Sequence, residues 1–126
     1  MFIEPVIGTN GILPPPEGYL QGLRALLDKH GILLVCDEVM AGFGRTGKLF
    51  ACEHAGITPD FLCLSKGLTA GYMPMSVVLT TDMVYQAFYD EYTKLNAFLH
   101  SHSYAGNPLA CAAALASLEL FDNTRA

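Results

Sequence analysis

The chain has 126 residues, of which 52% are hydrophobic and 15% charged, and it carries a formal net charge of −5. That length suits one domain with one core, and the apolar share excludes a disordered tail. The acidic balance leaves no electrostatic footprint for nucleic acid or for an anionic membrane surface, so partners are expected to be small molecules or other subunits.

Phe2 to Ile7 reads as a short apolar strand ended by Gly8-Thr9-Asn10-Gly11. Pro14-Pro15-Pro16 cannot continue a ladder, and Pro16 before Glu17 suits a helix start. From Glu17 to His30, Tyr19, Leu20, Leu23, Leu26 and Leu27 form one stripe with Gln21, Arg24 and Asp28 opposite, and Gly31 stands where a left-handed cap would close the helix. Ile32 to Cys36 is a continuous apolar run, which predicts a strand buried on both faces as in a parallel sheet. A short helix is predicted over Leu49 to Ala55, strands over Phe61 to Leu64 and Met75 to Thr80, and a helix capped by Asp82 that runs to about Asp90. Asn107-Pro108 supplies cap and first-turn proline for a helix from Leu109 to Phe121, apolar almost all round and therefore buried or at a subunit interface.

No apolar run approaches the ~18 residues of a membrane span, and no basic-then-apolar leader opens the chain; the expectation is a soluble, cytoplasmic protein. Cys36, Cys52, Cys63 and Cys111 form no Cys-x-x-Cys pair and sit among apolar neighbours, so they read as buried, reduced thiols. His100 and His102 lack a third ligand at a fitting spacing, and no metal is expected. Phe2 and Ile3 enter a strand at once and the last helical pattern stops at Asn123-Thr124-Arg125-Ala126, which suggests an internal piece of a longer chain.

Gly42-Phe43-Gly44-Arg45-Thr46-Gly47-Lys48 fits the phosphate loop of a nucleotide hydrolase until Leu49, where that loop needs Ser or Thr. Leu33 to Glu38 resembles the strand and acidic pair that hold Mg²⁺, but here it precedes the glycine-rich turn, the reverse of the usual order. Leu49 has no hydroxyl to offer the ion, so a P-loop NTPase is disfavoured. The alternative is a glycine-permitted bend between elements.

Asp37-Glu38-Val39, the Gly42 to Lys48 turn, Pro59-Asp60, Ser65-Lys66-Gly67 and the stretch from His100 to Ala114 resemble, in order and spacing, the class III pyridoxal-phosphate-dependent aminotransferases. The likeness runs from Glu4-Pro5 to the helix start at Gly106-Asn107-Pro108. It implies a fold-type I large domain, an α/β sheet of mostly parallel strands with flanking helices, and a homodimer. Because a whole family member is about three times longer, residues 1–126 would be the central part of the cofactor-binding large domain, with the N-terminal part and the C-terminal small domain absent.

Transamination stores electrons in a pyridinium ring, which an acid beneath the ring nitrogen keeps protonated. Asp37 follows an apolar strand, at the edge where open α/β sheets bind ligands, and the resemblance gives it that role over that of a solvated or capping Asp. The chemistry also needs an amine that joins the cofactor and shuttles a proton, kept neutral by burial and a nearby cation. The resemblance assigns this to Lys66, with Gly67 beside it for close approach. It also implies that Val39 presses on a ring face, though core packing is an equal reading, and that Ser103 and the amide of His102 hold the cofactor phosphate across the dimer interface. Ser101 falls where the family backbone approaches substrate. Met40 stands where many members carry Gln, so that contact is not carried over. Glu4 and Arg45 stay open between a buried ion pair and solvent.

Within the family, Ala51-Cys52-Glu53-His54, Leu64 to Thr69 and Ala87 to Tyr104 are similar to the biotin-pathway branch, which forms 7,8-diaminononanoate with S-adenosylmethionine as amino donor. The start, with Pro14-Pro15-Pro16-Glu17-Gly18-Tyr19, looks more like ω-amino acid:pyruvate members. A reading from another class is an inactive fragment or interaction module, since the upstream phosphate loop, the ring-stacking aromatic and the carboxylate-binding arginine of the family are missing.

Overall fold

The computed structural model describes residues 1–124. Strand β1 (Phe2–Ile3) pairs in parallel with β2 (Val35–Asp37), β2 in parallel with β3 (Phe61–Leu64), and β3 antiparallel with β4 (Val77–Thr80), giving one four-stranded sheet in the order β1-β2-β3-β4. This is the mostly parallel α/β sheet expected from the sequence.

Strand β1 stops well short of Ile7 because Pro5, fully buried, has no amide to give the ladder; Ile7 pairs instead with Leu13 as an isolated bridge. Helix α1 (Tyr19–Lys29) starts later than Glu17 because Gly18 holds a left-handed φ of 78°, and Gly31, φ 62°, follows its end in the capping conformation. Its buried stripe is narrower than the apolar pattern: Leu20 and Leu27 are buried, Leu23 is half-buried, and Tyr19 and Leu26 face solvent. Arg24, expected on the polar side, turns inward. Its Nη1 donates to Asp60 Oδ2 at 2.9 Å, and the Leu34 amide donates to the same oxygen at 2.7 Å. Burial pushes the Asp60 carboxyl up, but the Leu34 amide and the Arg24 guanidinium outweigh it and hold Asp60 below the usual carboxylate range. The pair ties α1 to the entrance of β3.

The expected double-sided burial of Ile32 to Cys36 is not found. Leu34 and Cys36 are fully buried and belong to one face, whereas Ile32 and Leu33 lie exposed before β2 begins, the Ile32 amide still bonded back to Leu27 of the helix. Strand β3 has the predicted bounds. Strand β4 starts at Val77, not Met75, because the Met75 carbonyl accepts the Ser65 hydroxyl. A 3-10 turn, Ala51–Ala55, replaces the short helix predicted from Leu49.

Helix α2 (Asp82–Gln86) is capped by Thr81, whose Oγ1 accepts from Val84 N, not by Asp82. It ends before Asp90 because that carboxylate gathers Glu91, Lys94 and Asn96 into a separate turn. Asn107 Oδ1 accepts from Leu109 N at the start of α3 (Pro108–Thr124). That helix runs past Phe121 to Thr124; Arg125 and Ala126 lie outside the described residues. It rests on the core through Ala110, Ala114 and Ser117 and leaves Leu109, Leu115 and Leu120 exposed.

The core lies on the Leu34, Cys36, Leu62 and Leu64 face of the sheet and includes Leu27, Phe43 and Ala114. Burial, reinforced by the Glu38 charge, pushes the Cys36 and Cys52 thiols up to about 12, so these groups are inert at neutral pH. Cys63 and Cys111 are free and half-buried.

Candidate active site

The register Asp37↔Cys63 sets the carboxyl ends of β2 and β3 side by side. Asp37 is the last residue of β2, and Lys66 follows β3 after Ser65. The two groups named from the sequence therefore stand at one sheet edge, on adjacent parallel strands. Asp37 is half-buried; its Oδ1 accepts from Val39 N at 3.0 Å, and its Oδ2 has no partner among the described residues. Lys66 is exposed and its Nζ has no hydrogen-bond or ion-pair partner among the described residues. The burial expected of this amine is not found, because no described residue covers it.

Lys66 has a φ of 37°, a left-handed conformation that costs a non-glycine residue on the order of 1–3 kcal/mol and persists only where the surroundings hold it. Several contacts do so. Ser65 Oγ donates to Met75 O at 2.6 Å, Thr69 Oγ1 to Met73 O at 2.6 Å, and Ser117 Oγ of α3 to Gly67 O at 3.3 Å. Gly67 is required by packing, since a Cβ there would lie 2.7 Å from the Cβ of Phe43.

The Gly42 to Lys48 turn does not cradle phosphate. Four of its seven amides are spent inside the chain: Gly42 N donates to Glu38 O at 2.9 Å, Phe43 N and Gly44 N to Leu49 O at 2.7 and 3.4 Å, and Gly47 N to Gly44 O at 3.0 Å. Lys48 Nζ donates to Glu53 O at 3.0 Å. Nor is Glu38 free for Mg²⁺; it is fully buried and accepts from Ala51 N at 2.6 Å and Cys52 N at 2.7 Å. The bend reading holds and the nucleotide-hydrolase reading does not.

Glu38 is the buried anchor to which the sequence pattern gives no role once the Mg²⁺ pair is disfavoured. The usable signal was its place behind Asp37: alternation turns successive side chains to opposite faces, so one acid of the pair had to point into the core. Glu4 is a turn staple, accepting from Gly8 N at 2.9 Å and Thr9 Oγ1 at 3.3 Å. Arg45 is exposed. Met40 packs on Gly8, where an added Cβ would fall 2.2 Å from its Cε.

Ser101 and His102 line an open cavity of about 910 Å³ with Ser65, Met75 and Asn107. Asp37, Val39, Lys66 and Ser103 are not among its lining residues, so the structure forms two clusters that meet at Ser65. Val39 is half-buried and Ser103 exposed. His102 Nδ1 accepts from Tyr104 N at 3.2 Å, and the His102 amide has no partner among the described residues. Among the described residues no group of three or more His, Cys, Asp or Glu is placed to hold a metal ion.

This donor set fits a pyridoxal phosphate. An acceptor oxygen at Asp37 is open to a ring N–H, a primary amine at Lys66 is open to an aldehyde, and hydroxyl and amide donors at Ser103 and His102 suit a phosphate.

The Aminotransferase class-III family model matches residues 1–125. An adenosylmethionine-8-amino-7-oxononanoate aminotransferase of Geobacter sulfurreducens is 54% identical over 126 residues, covering 99% of this chain and 28% of that protein. A putrescine aminotransferase of Pectobacterium atrosepticum is 49% identical over 118 residues, 94% of this chain and 24% of that one. The crystal structure of adenosylmethionine-8-amino-7-oxononanoate aminotransferase from Methanocaldococcus jannaschii superposes with a TM-score of 0.94 at 41% identity, covering 98% of this chain and 30% of that one. The chain thus spans about a quarter of the length of the curated relatives it matches.

Proposed function

The chain belongs to the class III aminotransferases, which depend on pyridoxal phosphate, and from that premise we propose that it is the central part of a cofactor-binding large domain whose full-length protein transfers an amino group from a donor amine to a carbonyl acceptor. The observation that carries this reading is the pair at the sheet edge: Asp37 Oδ2 and Lys66 Nζ, both without a partner among the described residues, at the ends of neighbouring parallel strands. When bound, the cofactor supplies an electrophilic carbon and a ring that takes up electrons. Asp37 accepts a charge-assisted hydrogen bond at the ring nitrogen and holds the proton there. Lys66 Nζ would hold the cofactor at rest and, once the donor amine has displaced it, would carry a proton between the donor's amine-bearing carbon and the cofactor's reactive carbon. Val39 bounds the ring face, Ser103 and the His102 amide hold phosphate, and Ser101 lies beside substrate.

The identities of the Geobacter and Methanocaldococcus relatives support 8-amino-7-oxononanoate as acceptor and S-adenosylmethionine as donor. The likeness to a putrescine aminotransferase supports an ω-amine donor as the second reading. We further propose a homodimer in which residues 100–103 face the partner's site, and a cytoplasmic setting, where the four free thiols stay reduced. The isolated 126 residues are expected to give no turnover.

The test uses the full-length protein with added pyridoxal phosphate. It should develop a visible absorption band that Lys66→Ala removes, together with an activity loss of about 10³-fold or more. Absence of any band from the unaltered protein would end the reading. Rates with S-adenosylmethionine, putrescine and β-alanine then separate the donors.

A further inference from the structure

We propose that the Gly42 to Lys48 turn is the seat of Lys66, with Phe43 as the positioning residue; this rests on the reading of Lys66 as the reacting amine. Two non-glycine residues with left-handed backbones meet here, Phe43 at φ 58° and Lys66 at φ 37°. For an aromatic residue that conformation is a genuine outlier, sustained only by what surrounds it.

What surrounds Phe43 is rigid. Its amide is bonded to Leu49 O at 2.7 Å, and the preceding Gly42 is pressed so close to Glu38 that an added Cβ would lie 2.9 Å from the Glu38 carbonyl oxygen. Glu38 is fixed in turn by the Ala51 and Cys52 amides. The Phe43 ring, buried, meets Phe50 edge-on at 5.8 Å and Phe121 of α3 at 6.1 Å. From this anchored base the Phe43 side chain bears on Gly67, the residue after Lys66, where an added Cβ would lie 2.7 Å from the Phe43 Cβ.

On the other side, the Ser65 and Thr69 hydroxyls bind the carbonyls of Met75 and Met73 and stop the turn from swinging away. Lys66 sits between the two. The Phe43 contact at Gly67 and the two hydroxyl ties keep its backbone from relaxing to the right-handed region, which would redirect the amine. The glycines of the turn serve this seat: Gly42 permits the approach to Glu38, and Gly44, φ 82°, would meet Phe121 at 3.2 Å if it carried a Cβ.

The test uses the full-length protein prepared free of cofactor. Growth of the visible band on adding pyridoxal phosphate is timed, and kcat and KM for the amino donor are measured at a temperature where circular dichroism shows each variant folded. Phe43→Leu should slow the band and lower kcat by ~10-fold or more with KM within ~2-fold, because a ~1 Å misplacement of a reacting group costs up to ~10²-fold. Phe43→Tyr keeps the ring and should restore both. Leu20→Ala, buried in α1 outside the cluster around Phe43, should lower the melting temperature without slowing the band. If Phe43→Leu melts lower yet gains the band and turns over like the unaltered protein, Phe43 only fills the core and the inference falls. It falls equally if Leu20→Ala slows the band as much. Should Phe43→Leu fail to fold, Gly67→Ala, pushing on the same contact from the other side, is judged by the same two rates. An unaltered protein without a Lys66-dependent band overturns the functional reading itself, before any variant is compared.

Discussion

Residues 34–69 and residues 85–106 differ in how they are held. In the first, Glu38, Asp60, Ser65 and Thr69 bond to partners across turns and between strands, and Leu34, Cys36 and Glu38 are sealed from solvent. In the second every residue is exposed, and the side-chain hydrogen bonds are local, with Asp90 accepting from Glu91, Lys94 and Asn96 and His102 accepting from Tyr104. Even its aromatic pairs, Tyr85 stacked on Tyr89 and Phe88 tilted against Phe98, lie in solvent. The chain therefore defines the positions of Asp37 and Lys66 by its own long-range contacts, while the side-chain hydrogen bonds around Ser101, His102 and Ser103 among the described residues are local in sequence.

The largest expected effect tests the first region directly. Glu38→Ala leaves two buried amides without acceptors, each worth about 1–3 kcal/mol, so the full-length protein should lose about 3 kcal/mol or more by urea unfolding. Asp90→Asn, which weakens the Lys94 pair in the exposed segment, should leave the urea midpoint close to that of the unaltered protein. Equal losses for the two variants would erase the distinction drawn between the regions.

A smaller effect follows from Asp60. Removing its charge with Asp60→Asn should cost about 1–3 kcal/mol at neutral pH through the Leu34 amide and Arg24. The folded carboxyl lies below its ordinary value. Its contribution is therefore fully present above the unfolded value near ~4 and is lost as pH falls through the lower folded value. The gap between the unaltered and Asp60→Asn proteins should hold from pH ~7 to ~5 and narrow only in stronger acid; a gap already closing at pH ~6 would contradict the assignment.

The difference between the regions also explains what was legible in the sequence. Strand β3, the parallel order of the sheet and the edge position of Asp37 and Lys66 could be read because apolar runs and turn residues encode them locally. The ends of β1, β4 and α2 could not, since each is set by a particular partner: a proline without a donor, a carbonyl claimed by Ser65, a carboxylate gathering its own turn. At the Gly42 to Lys48 turn the glycines alone leave two readings open, and it is Leu49 that favours the bend. A glycine pattern states that the backbone bends tightly but not whether its amides point at a ligand or at Leu49 and Glu38. Arg24 looked like a surface residue because its partner lies 36 positions away.

The smallest expected effect concerns the exposed segment and decides whether it acts alone. Ser103 has an exposed hydroxyl, so Ser103→Ala removes no packing and should leave the urea midpoint unchanged. If that hydroxyl donates to the cofactor phosphate, the dissociation constant for pyridoxal phosphate should rise roughly fivefold, about 1 kcal/mol, and Ser103→Thr should restore it. An unchanged constant would mean that the phosphate is held without Ser103. Concentration supplies the finer contrast: where a second copy must face the segment, the fivefold difference should vanish once the protein is diluted to monomer, whereas the contribution of Asp37, held by the chain's own strands, should persist.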